Sequence, residues 1–300
     1  MENINQIIPN NYIFKNELMS RHTTFKIGGP CSLFIKVDAT DKLQCLLHYL
    51  SKNKIPYFFL GNGSNLLVSD KGFDGVILSY TDGMTEDVYV AGNKLIASGG
   101  VLLSKIANIA LQNRLTGFEF AAGIPGTVGG AMVMNAGAYD GEMKDVVESV
   151  EVVDENGEIK VLSTSEMAFD YRYSILKSKP YIVTKVTFKL SYGKEEHIRE
   201  KMKDFSFRRR DKQPLEYASA GSTFKRPEGH FAGKLIMDAG LRGFQIGGAK
   251  VSDKHCGFVI NVGNATAMDV HNVIEYVIKE VQEKFQVTLE PEVIRLGEFK

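Results

Sequence analysis

Residues 121–137 read AAGIPGTVGGAMVMNAG, from Ala121 to Gly137. Gly123, Gly126, Gly129, Gly130 and Gly137 stand around Pro125 and Thr127, and the flanking residues Ile124, Val128, Met132, Val133 and Met134 are apolar. A buried segment with so few side chains to pack is unfavourable, because glycine loses the most backbone freedom and returns few contacts. The economical reading is backbone laid against a large planar or phosphorylated cofactor.

A second loop lies upstream. Tyr57-Phe58-Phe59-Leu60 reads as a short buried strand and runs directly into Gly61-Asn62-Gly63-Ser64-Asn65. Successive backbone N–H groups in such a turn can hold an anion, and small residues let a phosphate approach. No Lys-Ser/Thr pair follows, so it is not a Walker loop. Leu66 occupies the place of the third glycine of a dinucleotide fingerprint, and another strand follows instead of a helix. Read alone, the loop fits a tight turn as well as a ligand site.

The bulk composition agrees with this picture. Glycine accounts for 29 of 300 residues without a collagen period. The length suggests two domains. Hydrophobic residues make up 44% and charged residues 24%, the balance of a globular chain. Lys+Arg and Asp+Glu are 36 each, which demotes nucleic acid as a partner. No apolar run approaches the ~18–20 residues of a membrane span. Met1-Glu2-Asn3-Ile4-Asn5-Gln6 is polar and acidic, unlike a signal or transit peptide. Cys31, Cys45 and Cys256 are scattered and odd in number, which fits a reducing cytoplasm.

Periodicity outlines the elements. The stretch up to Ser20 reads as an irregular arm. Ser32–Val37, Leu66–Ser69 and Val76–Tyr80 read as strands, and Leu43, Leu46, Leu47 and Leu50 give Asp41–Lys52 a helical face. Val88–Ala91 and Lys94–Ser98 pair around Gly92-Asn93, and Val101–Arg114 is an amphipathic helix. Val147–Asp154 and Glu158–Leu162 form a hairpin around Glu155-Asn156-Gly157. Ser163-Thr164-Ser165-Glu166 has the capping-box pattern of a short helix. Tyr181–Leu190 alternates as a strand. Beyond Gly193 come a charged helix, Lys194–Arg210, a possible strand at Ser219–Lys225, a helix at Phe231–Ala239 and a strand at Phe258–Val262. Met268–Phe285 is the clearest helix, with Thr266 as its N-cap. Val293–Leu296 reads as a final strand.

Several residues have the chemistry for a site, each beside a plainer reading. Arg172, in Tyr171-Arg172-Tyr173-Ser174, can be a surface stack or a bidentate carboxylate clamp. Ser222, in Ser219-Ala220-Gly221-Ser222-Thr223-Phe224, presents a hydroxyl on a small-residue turn, and no Gly-x-Ser-x-Gly elbow is present. Glu292, between Pro291 and Val293, can be a surface acid. Arg208-Arg209-Arg210-Asp211-Lys212 can be a solvated face or hold a diphosphate. The histidines, His255 among them, show no metal-ligand spacing, and no metal is expected.

Taken in order, LGNGSNLLV at 60–68, AGIPGTVGGAMVMNAGAY at 122–139, YRYS at 171–174, AGSTFKRP at 220–227, GGAKVS at 247–252 and LEPEV at 289–293 resemble the UDP-N-acetylenolpyruvoylglucosamine reductase family. The resemblance covers nearly the whole chain, from His22-Thr23-Thr24-Phe25 onward. It implies an α+β fold: an FAD-binding region of the vanillyl-alcohol-oxidase type, made of two α+β subdomains at 1–80 and 81–193, and a C-terminal α+β substrate domain at 194–300. It implies non-covalent FAD held by Gly61, Asn62, Gly63, Ser64, Asn65 and Leu66 in one loop. In the other loop the contacts would be Gly123, Ile124, Pro125, Gly126, Thr127, Gly129, Gly130, Ala131, Asn135 and Gly137. Such an enzyme takes hydride from NADPH and reduces UDP-N-acetylglucosamine enolpyruvate to UDP-N-acetylmuramate in peptidoglycan precursor synthesis.

The implied catalytic set is Arg172, Ser222 and Glu292. Arg172 would hold the substrate carboxylate, Ser222 would protonate the α-carbon, and Glu292 would support the carboxylate end with a raised pKa. Lys212 and His255 would contact the nucleotide. Family members differ by a tyrosine-bearing insertion over the substrate, and this chain resembles the subtype lacking it. A cytoplasmic monomer with no membrane or nucleic-acid partner is expected. Two other readings remain: a flavin oxidase of the same fold, and a non-catalytic flavin-binding module.

Overall fold

Ile182–Lys189 alternates buried and outward residues, and it is the central strand of a five-stranded antiparallel sheet. The sheet runs Ile159–Ser163, Val147–Val153, Ile182–Lys189, Lys94–Ser98, Val88–Ala91. Helix Val128–Met134 packs on this strand and Leu103–Gln112 on Lys94–Ser98, and Val186 and Phe188 share one apolar core with Val150, Leu95, Ile106 and Met132. This computed structural model describes residues 4–81 and 87–300.

A second sheet orders Ile13–Leu18, Pro30–Val37, Phe73–Tyr80 and Tyr57–Phe59. Tyr57–Phe59 pairs parallel with Phe73–Tyr80, with Tyr57 opposite Val76. Between Pro30–Val37 and Tyr57–Phe59, helix Thr40–Lys52 turns Leu43, Leu46, Leu47 and Leu50 into a core with Ile35, Val37 and Leu78. The glycine loop 61–65 begins just after Tyr57–Phe59.

The chain divides into two units assembled from separated stretches. The first comprises the described residues up to Phe14, Leu33–Gly61 and Gly75–Arg209. The second comprises Lys15–Ser32, Asn62–Asp74 and Arg210–Lys300. In the second unit, Ala267–Phe285 packs Val270, Val273, Ile274 and Val277 against a three-stranded sheet of Gln245–Ile246, Ala249–Val251 and Val259–Asn261. Helix Ala232–Asp238 closes this core, and Phe25, Ile27 and Leu67 join it from far upstream. Strand Ile294–Leu296 lies parallel to Leu66–Val68.

Three expectations are corrected. The irregular arm contains helix Ile4–Ile7 and strand Ile13–Leu18, because Ile4 and Ile8 are buried against the Thr40–Lys52 helix. The capping-box bonds at 163–166 form, Ser163 N–H to Glu166 at 2.8 Å and Glu166 N–H to Ser163 Oγ at 3.3 Å. No helix follows, since Ala168 takes a left-handed φ of 46°. Ser219–Lys225 is not a ladder strand; single bridges flank it, Ala218 with Asn261 and Phe224 with Pro291.

Candidate active site

Within the glycine-rich stretch the chain forms a short helix, Val128–Met134, which composition had hidden. Thr127 caps it, its Oγ1 accepting the Gly130 N–H at 3.3 Å. Val128, Ala131, Met132 and Met134 point into the core, leaving Gly130 exposed. Asn135 ends the helix with a left-handed φ of 42° and is wholly buried. Its amide donates to the Glu142 carboxylate and to the Asp170 carbonyl at 3.1 Å, and its oxygen accepts Lys144 N–H at 2.9 Å.

The glycines of the two loops answer different demands. A Cβ on Gly61 would sit 2.5 Å from Thr127 Oγ1, so the two loops touch. Gly63 has φ +61°, and its Cβ would collide with the His22 carbonyl. Those two are required by the protein's own packing. Gly123 and Gly130 are exposed, with little of the protein above them: a Cβ on Gly123 would meet only the Arg209 side chain at 3.3 Å, and one on Gly130 only Thr127 Oγ1 at 3.4 Å. This bare backbone beside a tight loop fits a flavin dinucleotide, which needs close approach for its diphosphate and its planar ring.

The same stretch anchors Arg172. Asn135 holds Asp170; Asp170 and Tyr173 exchange backbone bonds of 3.1 and 3.0 Å, and Ser174 Oγ donates to Val133 O at 3.0 Å. Arg172 sits at the tip of this turn with φ 54°, an uncommon conformation for arginine. Its guanidinium lies 5.1 Å from the Tyr171 ring centroid and reaches Gly137 O at 3.4 Å. A cation is thereby held at the end of the glycine stretch, the geometry a carboxylate clamp needs.

The segments bearing Ser222 and Glu292 are joined in the second unit. Phe224 bridges Pro291, Glu292 N–H donates to Thr223 O at 2.8 Å, and Lys225 N–H donates to Glu290 O at 2.9 Å. Ser222 is exposed, Glu292 half-buried and Thr223 fully buried. Thr223 also ties in His255's loop, donating its N–H to Gly257 O at 2.8 Å and accepting Val259 N–H at 2.9 Å on Oγ1. His255 Nδ1 accepts Gly257 N–H at 3.1 Å, so its free proton is on Nε2. Burial, and with it the nearby charge of exposed Lys212, pushes the His255 pKa down against one backbone hydrogen bond. Asn65, in the loop 61–65, donates its side-chain N–H to Glu292 O at 3.0 Å.

Arg209, in sequence only one of the basic run 208–212, and Tyr139, the last residue of the motif 122–139, gain individual positions. Arg209 packs on Gly123, and burial lowers its pKa while Tyr139 raises it. Tyr139 stacks on Phe205 at 4.4 Å and 3°, and its hydroxyl donates to Phe205 O at 2.9 Å. The signal was present: Ile198, Met202, Phe205 and Arg209 recur at helical spacing along Glu195–Lys212, so Arg209 extends its apolar face. Among the described residues no cluster could hold a metal ion, and no helix is long and apolar enough to cross a membrane.

Comparison with known proteins matches both halves of this description. The model of the "FAD binding domain" family matches residues 31–163, and that of "UDP-N-acetylenolpyruvoylglucosamine reductase, C-terminal domain" matches residues 213–296. The chain is 56% identical over 298 residues to the UDP-N-acetylenolpyruvoylglucosamine reductase of Caldanaerobacter subterraneus subsp. tengcongensis, covering 99% of this chain and 98% of that one. It is 50% identical to the enzyme of the same name from Clostridium novyi, over 98% and 95% of the two chains. The crystal structure of the reductase from Thermus caldophilus matches with a TM-score of 0.82 at 36% identity, over 94% of this chain and 98% of that one. p-Cresol methylhydroxylase matches with a TM-score of 0.57 at 12% identity, over 94% and 87%. That is a likeness of fold alone, and it agrees with an FAD-binding region of the vanillyl-alcohol-oxidase type. With glycine loops, arginine turn and Ser–Glu pair all lying in matched sequence, this chain belongs to the UDP-N-acetylenolpyruvoylglucosamine reductase family.

Proposed function

We propose that the protein reduces UDP-N-acetylglucosamine enolpyruvate to UDP-N-acetylmuramate, a step of peptidoglycan precursor synthesis, with NADPH as reductant and non-covalent FAD as carrier. The observation that carries this reading is the Phe224–Pro291 bridge with its Glu292 N–H to Thr223 O bond, which ties the segment bearing Ser222 to the one bearing Glu292. Bound FAD would supply the hydride that the terminal carbon of the enol ether needs.

The addition leaves negative charge on the α-carbon and its carboxylate, and the residues are suited to that charge. Arg172 binds the carboxylate through its guanidinium, pre-placed by the Asp170–Tyr173 turn. Ser222 delivers the proton to the α-carbon; as a weak acid it works only against a strongly basic enolate. Glu292, in its protonated form, supports the carboxylate without repelling it. His255 offers its Nε2–H, and Lys212 its charge, to the nucleotide. Gly61 to Leu66 and the bare backbone from Gly123 to Gly130 hold the FAD.

The tyrosine-loop subtype is read as absent here. Strand Ile182–Lys189 is followed almost at once by helix Glu195–Lys212, and Ser191–Tyr192 between them pairs with Leu115–Thr116. The division into 1–80, 81–193 and 194–300 is proposed from three buried cores centred in those ranges, with Phe25, Ile27 and Leu67 crossing into the third. The three free cysteines fit a cytoplasmic protein, and a monomer is proposed, to be checked by light scattering.

The test is an anaerobic titration followed in the visible flavin band. NADPH should bleach the band, and the enolpyruvyl UDP-sugar alone should restore it. Restoration by oxygen but not by the sugar would establish an oxidase instead. A flavin that NADPH leaves oxidised would favour a binding module.

A further inference from the structure

We propose that Asn65 is a positioning residue for Glu292, so that the cofactor loop itself sets the placement of the acid. This rests on the role proposed for Glu292. Asn65 Nδ2 donates to the Glu292 carbonyl at 3.0 Å, across 227 residues of sequence. The Asn65 carbonyl accepts Ile294 N–H at 3.0 Å, which starts the parallel pairing of Leu66–Val68 with Ile294–Leu296. On its other side Glu292 donates its N–H to Thr223 O at 2.8 Å.

Both peptide groups of Glu292 are therefore held, one from the segment bearing Ser222 and one from the loop 61–65. The bond on the cofactor side is made by a side chain and can be removed by substitution. The loop that contributes it begins at Gly61, where the chain needs glycine to pass Thr127. A group that fixes this loop also fixes the Asn65 amide, and through it the backbone of the acid.

A residue that only binds cofactor and one that also positions Glu292 differ in what their loss slows. In FAD-loaded Asn65→Ala, restoration of the flavin band by the enolpyruvyl UDP-sugar should slow about tenfold more than bleaching by NADPH, the effect of one neutral hydrogen bond. Amide hydrogen exchange across 290–294 should quicken in the same variant, and the protection that FAD binding is expected to give that stretch in the wild type should be lost. Asn65→Asp, which keeps the size but loses the donor, carries the same expectation should the alanine variant not fold. Equal slowing of both half-reactions together with weakened FAD binding would overturn the proposal, as would unchanged exchange at 290–294. Glu292→Gln separates the two ideas. If it leaves the sugar-dependent step unaffected, the role of Glu292 is wrong, while the exchange result still reports on the Asn65 link.

Discussion

A methyl group on Gly130 would stand on an exposed helical turn with only Thr127 Oγ1 near it, whereas one on Gly63 would strike the His22 backbone. Gly130→Ala should therefore hold or raise stability, by about 0.5–1 kcal/mol from the helix propensity gained, while weakening FAD binding. Gly63→Ala should cost at least about 1–2 kcal/mol from the left-handed backbone alone. Thermal melts and a flavin fluorescence titration on both variants separate a ligand glycine from a packing glycine. Arg172, at φ 54°, calls for the opposite comparison. Asn tolerates that conformation better, so Arg172→Asn should leave the melting temperature unchanged or higher while kcat falls about 10²–10³-fold. His255 has a depressed pKa, so the unfolded chain takes up its proton more readily. Its contribution is intact above the unfolded value of about 6.5 and is lost as pH falls through the folded one. Urea unfolding over that range should show a steeper acid-side decline for wild type than for His255→Gln.

Among the elements, Ala267–Phe285 shows what local sequence carries. Its apolar face and its Thr266 cap were both legible, and Thr266 Oγ1 does accept Asp269 N–H at 3.0 Å in a reciprocal capping box. Thr266→Ala should lower stability by about 1 kcal/mol, measured by denaturant midpoint at unchanged slope. Asp70 reinforces that terminus from outside, accepting Ala267 and Met268 N–H at 2.8 and 3.0 Å, and nothing local announces it. The box at Ser163–Glu166 shows the limit. Its bonds form just as well, but the left-handed Ala168 stops any helix. Helix Val128–Met134 was missed for the converse reason: its apolar residues stand at helical spacing, but two glycines in its first turn mask the period. The strands Gln245–Ile246 and Ala249–Val251 are too short for alternation to register.

At the scale of the whole chain, motif order singled out a candidate site, while periodicity outlined the fold. Arg172, Ser222 and Glu292 could be picked out because each stands in a recognisable string. Within the basic run that sequence marked as a possible diphosphate site, nothing local chose Arg209 over its two neighbouring arginines; its packing on Gly123 does. The three thiols give a readout of the larger assembly. Cys45 is exposed, while Cys31 and Cys256 are buried in the second unit, and burial raises both of their pKa values, that of Cys31 to about 11. A thiol reagent should titrate one cysteine at once. In rising denaturant, Cys31 and Cys256 should become reactive together despite their separation in sequence, because one core holds both stretches. Separate transitions would show that the second unit does not unfold as one body.

That interleaving also matters while the chain is being made. A ribosome delivers Phe25, Ile27 and Leu67 early, but the helix that buries them ends at Phe285, and the strand that pairs with Leu66–Val68 ends at Leu296. Until then, three large apolar side chains and an unpaired strand edge wait in the open, a state prone to association with other nascent chains. The first unit faces no comparable delay, since its last contributing residue is Arg209. The growing polypeptide thus carries a completed half and an unfinished one at once, and the yield of native protein depends on how well the unfinished half is shielded until the final strand emerges.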